Sequence, residues 1–146
     1  MKDLYNKIKP VQVIAPVKVL DATVPAAVEV DLAGYNSAVV SINCGAKGGG
    51  DTGTITLTMD HADDDGTGVA GAYANVAAKD VQGITPVSGV IFTLAGGAVA
   101  AAITKIGYVG GKRFAKFTLA ETDSNATGTM MAISLIKGHP ADSPTL

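Results

Sequence analysis

Apolar and polar positions alternate over short runs along most of this chain, and no stretch sustains the 3.6-residue period of a long helix. Met1–Pro10 is polar with Leu4, Tyr5 and Ile8 interspersed at i, i+1, i+4, a spacing that allows a short helical turn ended by Pro10. Val11–Leu20 sets Val11 and Val13, then Val17 and Val19, about Pro16. Proline donates nothing to a ladder, so this run predicts an edge strand or a bent one. Ala27–Leu32 alternates Val28 and Val30 with Glu29 and Asp31. A turn at Gly34–Ser37 follows, then Ala38–Cys44, β-branched and placed centrally, then the glycine-rich Gly45–Gly53, read as a flexible loop. Thr54–Met59 predicts a strand with Ile55, Leu57 and Met59 inward and Thr54, Thr56 and Thr58 outward, ending in an acidic turn from Asp60 to Gly66. Val69–Val76 is a weak strand, residues 80–89 connect, and Val90–Leu94 is a short buried strand. Gly96–Ala102 is open between a small helix and a loop. Glu121–Asn125 reads as a polar turn, Thr127–Lys137 as the last strand, and Gly138–Leu146 as a tail.

The stretch Ile103–Leu119 predicts a hairpin turning on Gly110-Gly111, since a Gly-Gly pair between strand-like runs accepts positive φ at both central positions. In that register Tyr108 faces Arg113, Ile106 faces Ala115 and Thr104 faces Phe117, on the face opposite Lys105, Lys112 and Lys116. The sum is eight or nine short antiparallel strands with turn chemistry every eight to twelve residues. That predicts an all-β fold, a β-sandwich or jelly roll. The block is expected to span residues 11–137, with an arm at 1–10 and a tail at 138–146.

Composition sharpens this picture only in part. The 146 residues suffice for one domain with a real core. Charged residues are only 16% of the chain and the mean hydropathy is +0.32, which leaves two readings open: a surface partly covered by partners, or an Ala- and Gly-rich core. A net charge of −2 supplies no global field for nucleic acid. Cys44 is the only cysteine, so an intramolecular disulfide is excluded. The opening MKDLYNKIKP has no signal-peptide core, and the run from Thr93 to Ile103 is too short to span a bilayer. A reducing cytosol, or a particle assembled in one, is the expected setting.

Candidate chemistry is thin. Asp60, Asp63, Asp64 and Asp65 offer hard oxygen ligands for Ca²⁺, but an EF-hand register fails because its twelfth position is Ala72. A solvated turn is the preferred reading, for the backbone reasons that gather Asp and Gly in turns. His61 and His139 lie far apart, and Ser41, Ser134 and Cys44 sit in apolar strands, so no nucleophile–base pair is read from the chain. Gly45–Gly53 lacks the Walker spacing. No catalytic, metal or cofactor residue is assigned. Arg113 beside Tyr108 reads either as intramolecular stacking or as a contact anchor for a partner. Tyr5, Lys7, Lys9, Tyr108 and Arg113 are the candidate partner-contact residues.

Three pieces, MKDLYNKIKPVQVIAP, KIGYVGGKRFAKFTL and AISLIKGHPADSP, with TLTMDHADDDGTG between them, resemble in order and spacing a group of small structural proteins encoded in tailed-bacteriophage head modules. The resemblance implies a capsid decoration or cement protein, a β-sandwich or jelly roll that binds the outer shell between major capsid proteins and adds no catalytic residue. The partners it implies are the major capsid protein and further copies of the chain as a dimer or trimer, without nucleic acid or membrane. The expected location is the virion surface, after synthesis in the host cytoplasm. A tail, neck or head-fibre component is the alternative structural role; a Ca²⁺- or carbohydrate-binding β module is a further alternative, its sugar-stacking form disfavoured by 5% aromatic content and the absence of Trp.

Overall fold

The computed structural model describes residues 4–20, 23–122 and 125–141. Ten strands carry the fold: β1 Ile8–Val19, β2 Val28–Asp31, β3 Tyr35–Cys44, β4 Thr54–Ala62, β5 Ala74–Asn75, β6 Val81–Gln82, β7 Val90–Leu94, β8 Ala102–Tyr108, β9 Phe114–Thr122 and β10 Thr129–Pro140. They form two antiparallel five-stranded sheets, β1-β10-β3-β8-β6 and β2-β9-β4-β5, with β7 also pairing β4. The fold is all-β, a β-sandwich of ten strands. Apart from β4 to β5, every connection between consecutive strands passes from one sheet to the other. With the two-residue β5 and β6 set aside, the orders are β1-β10-β3-β8 and β2-β9-β4-β7. First strand beside last, second beside next-to-last, is the winding of a jelly roll.

The core lies between the sheets. Val40, Ile42, Ile106, Ile133 and Leu135 point inward from one; Ile55, Leu57, Met59, Phe117 and Leu119 point inward from the other. Each side chain of this size stabilises the fold by about 1.5–3 kcal/mol relative to exposure. The alternation of β4 is as its sequence predicts, and β3 is the central strand of its sheet. β1 keeps both prolines because it is an edge strand. It pairs only β10, with register shifts between Gln12 and Ile14 and between Ile14 and Val17 that absorb the bend near Pro16. Both ends of the block are longer than the sequence suggests: residues 8–10 and 138–140 pair inside the first sheet, while residues 1–3 and 142–146 of the expected arm and tail lie outside the described residues. The short helical turn is a single 3-10 turn, Tyr5–Lys7.

The hairpin of residues 103–119 does not form. β8 pairs β3 and β6, and β9 pairs β2 and β4, so the two strands face each other across the core instead of lying side by side. Tyr108 is therefore not a cross-strand partner of Arg113. Alternating strands present the same sequence pattern whether they pair edge to edge or stack face to face, and the Gly-Gly pair tipped the reading the wrong way. Neither Gly110 nor Gly111 has positive φ. Residues 109–113 bridge the sheets, held by the Val109 and Gly110 N–H groups donating to the Asp80 carbonyl at 2.8 and 3.1 Å. Gly110 is needed for a different reason: a Cβ there would sit 2.7 Å from the Tyr108 ring, whereas nothing lies within 4 Å of one at Gly111.

Smaller corrections follow from the same map. β4 runs on through Asp60, His61 and Ala62, so the acidic turn starts at Asp63; the weak strand shrinks to β5; Tyr35 already begins β3, and Glu121 still belongs to β9. Gly45–Gly53 is not a loose loop. Lys47 and Asp51 within it are 3% and 1% exposed. The Lys47 backbone pairs with Val99, so the stretch read as helix or loop from Gly96 to Ala102 is connecting chain that enters β8 at Ala102, not helix. Its ammonium donates to the carbonyls of Gly53 and Ala95, while an Asp51 carboxylate oxygen accepts from the Thr127 N–H at 2.9 Å.

Candidate functional site

Three polar clusters assemble. The first centres on Arg113, at the start of β9. Its guanidinium grips the Asp31 carboxylate through Nε at 3.0 Å and Nη2 at 2.8 Å, and donates through Nη1 to Asp64. This ties the end of β2 to the acidic turn. Arg113 holds the Asp31 carboxyl below the usual carboxylate range. Asp64 is lowered chiefly by the N–H groups of Gly68 and Gly66, and Asp65 by the Thr67 hydroxyl and N–H. Asp63 pairs with Lys112. The carboxylates first considered as Ca²⁺ ligands are thus spent on turn backbone and neighbouring cations. Among the described residues no group of three or more His, Cys, Asp or Glu side chains comes together to hold a metal. An open cleft of about 370 Å³ between residues 32–37 and 108–113 is walled in part by Arg113, whose charge is already engaged.

The second cluster is internal and joins the two sheets. His61 of β4 and Tyr108 of β8 meet edge to face, with Nδ1 and the phenol oxygen 3.0 Å apart. The phenol oxygen also accepts the Lys112 N–H at 3.3 Å. Nε2 lies 3.9 Å from Asp80, too far for a direct hydrogen bond, and Asp80 itself accepts the Ala77 N–H at 2.9 Å. A hollow of about 290 Å³ borders His61, Asp80, Lys79 and Lys112. The constellation looks like a proton relay, but burial pushes the Tyr108 hydroxyl up to about 12, which keeps it protonated and poor as nucleophile or base. It works as a rivet between the sheets. Neither histidine pairing was legible from spacing, since the partners are 47 and 102 positions apart.

The third is Ser37 and His139, with Oγ and Nδ1 2.7 Å apart beside a small apolar pocket formed in part by Leu4, Val39 and Ile136. His139 has φ +50°, an unusual backbone for a non-glycine residue. Among the described residues no carboxylate orients this imidazole, so the pair lacks the third member of a hydrolytic triad. Cys44 is buried, and burial raises its thiol above the ordinary value, away from reactivity.

The predicted contact residues divide. Tyr5, Lys7 and Lys9 are exposed, Tyr5 at 87%. Tyr108 is 2% exposed and committed to His61, so it offers a partner no surface. Arg113 lies 4.9 Å over the Phe114 ring instead of stacking on Tyr108.

No protein-family model and no curated protein matches the chain. Among solved structures, it is similar to one described as "Bacillus endospore appendages form a novel family of disulfide-linked pili", at 14% identity and a TM-score of 0.38, over 96% of this chain and 97% of that one. A likeness this loose carries no argument about function.

Proposed function

We propose that this chain is a non-enzymatic structural protein of a tailed-phage particle, which binds the outside of the capsid shell and stabilises contacts between major capsid proteins. The observation that carries the reading is how the molecule spends its polar groups. The clustered titratable side chains serve as internal ties, while large apolar side chains stay in water: Leu4 at 66%, Tyr5 at 87%, Ile103 at 73% and Met130 at 50% exposed. A cement protein needs contact area and many modest interfaces, not a reactive centre. The sequence resemblance to head-module proteins supports the same role. The jelly roll is compatible with it by analogy, since this winding serves viral shells among other uses and does not fix a function. In this reading the chain acts at the virion surface as a dimer or trimer.

The experiment mixes the purified chain with heads assembled from a tailed-phage major capsid protein. Saturable co-sedimentation and a higher rupture temperature of the heads are expected, because a ligand that binds only the assembled state stabilises it. Attachment only to tails or necks, or to no particle at all, overturns the reading.

A further inference from the structure

The two sheets differ in charge. No Asp or Glu lies on any strand of the sheet β1-β10-β3-β8-β6, whereas β2, β4 and β9 of the other carry Glu29, Asp31, Asp60 and Glu121. The ladder pairings place Pro10, Ile136 and Val39 in one row across the outer face of the acid-free sheet, Gln12, Ser134, Ser41 and Lys105 in the next, and Ala132, Asn43 and Ile103 in a third. Met130 and Lys18 pair at the corner. The face is therefore apolar and small-polar, with Lys18 on the edge strand and Lys105 on the opposite side. Neither lysine makes an ion pair among the described residues.

We infer that this outer face is the docking surface for an acidic protein surface of the shell, with Lys18 and Lys105 opposite carboxylates and Val39, Ile103, Met130 and Ile136 against apolar side chains. This rests on the proposed shell-binding role and names the face that performs it. Charge complementarity selects the occupant. A second copy does not fit, because much of this chain's outward acid is already taken: Asp31 and Asp64 by Arg113, Asp63 by Lys112, Asp60 by Lys116 and Glu29 by Tyr73. Nucleic acid does not fit either, since two lysines and no arginine on the three rows and corner described cannot track a phosphate backbone. Area matters too. Four strands about 4.8 Å apart and about seven residues long project roughly 400 Å², about half of one side of a standard interface. The exposed Leu4, which lines a pocket with Val39 and Ile136 at the edge of the same face, is placed to extend it.

The test uses heads built without this chain and compares wild type with Lys105→Glu, Ile103→Glu and, on the opposite sheet, Ala120→Glu. All three positions are exposed, so melting temperatures serve as the check on folding. Lys105→Glu and Ile103→Glu are expected to weaken head binding by about ten-fold or more, and Ala120→Glu to leave it unchanged. If wild type and all variants bind heads equally, the docking face is wrong and the shell-binding role survives. If wild type binds no heads, both fall. A wild-type dimer that Ile103→Glu dissociates in light scattering would make a second copy the occupant, and DNA binding lost in Lys105→Glu would make it nucleic acid; either overturns the inference.

Discussion

The outer faces of the two sheets are built to opposite ends. On β2-β9-β4, Thr56 lies between Thr93 and Ala120, Thr58 beside Thr118, and Lys116 between Glu29 and Asp60. Lys116 reaches Asp60 at 3.7 Å and lies 4.0 Å under the Tyr73 ring, whose hydroxyl donates to Glu29. That surface is complete in water: short hydroxyls, and charges already answered. On β1-β10-β3-β8 the corresponding positions hold Val39, Ile103, Met130 and Ile136, with lysines and no carboxylate. Both sheets bury equally apolar inner faces, so the difference owes nothing to folding. In the proposed role the carboxylate-free side is the one turned to the shell.

The inner faces should prove equivalent. Phe117→Ala from one sheet and Ile133→Ala from the other remove fully buried side chains, and each is expected to cost about 2–5 kcal/mol in denaturant unfolding. A cheap loss on one side only would break the symmetry of the core. Tyr108→Phe removes the rivet between the sheets and strands the His61 nitrogen and the Lys112 N–H; a loss of about 1–3 kcal/mol is expected. Gly110→Val, clashing with the Tyr108 ring, should cost a similar amount, about 1–3 kcal/mol, while Gly111→Ala should be silent. Equal damage at both glycines would restore a two-residue turn.

Arg113→Ala acts through charge, and its sign is set by Asp31 and Asp64. Their folded values lie below the ordinary one, so their contribution is full above about pH 4 and fades as pH falls through the lowered folded values. The melting difference between wild type and the variant should therefore be present at neutral pH and vanish in strong acid. A difference that persists there would mean the arginine acts by packing. The smallest expected effect is the most telling for the comparison. Ile103→Thr on the open face should change stability by no more than about 0.5 kcal/mol, yet reduce attachment to heads.

Alternation alone located the strands, and for a local reason: a side chain's face depends only on its parity along the strand. It put Ile55, Leu57 and Met59 in the core; β-branched residues made β3 central and Pro16 pointed β1 to an edge, while Pro10, read as the end of a helical turn in the arm, pairs inside that same edge strand. The class of fold, and the Asp turn as a backbone device, could be read without coordinates. Partnership could not, because it depends on residues distant in the chain. Among the strands of seven residues or more, those free of carboxylates are the first, third, eighth and last, scattered along the sequence and gathered into one sheet only by a winding that crosses the core at nearly every connection. The same crossing separated β8 from β9, seated His61 against Tyr108, and buried Lys47 and Asp51 in what reads as a glycine loop. Parity decides which side of its own strand a residue occupies; only tertiary pairing decides which neighbours share that side, and hence where the molecule presents a face.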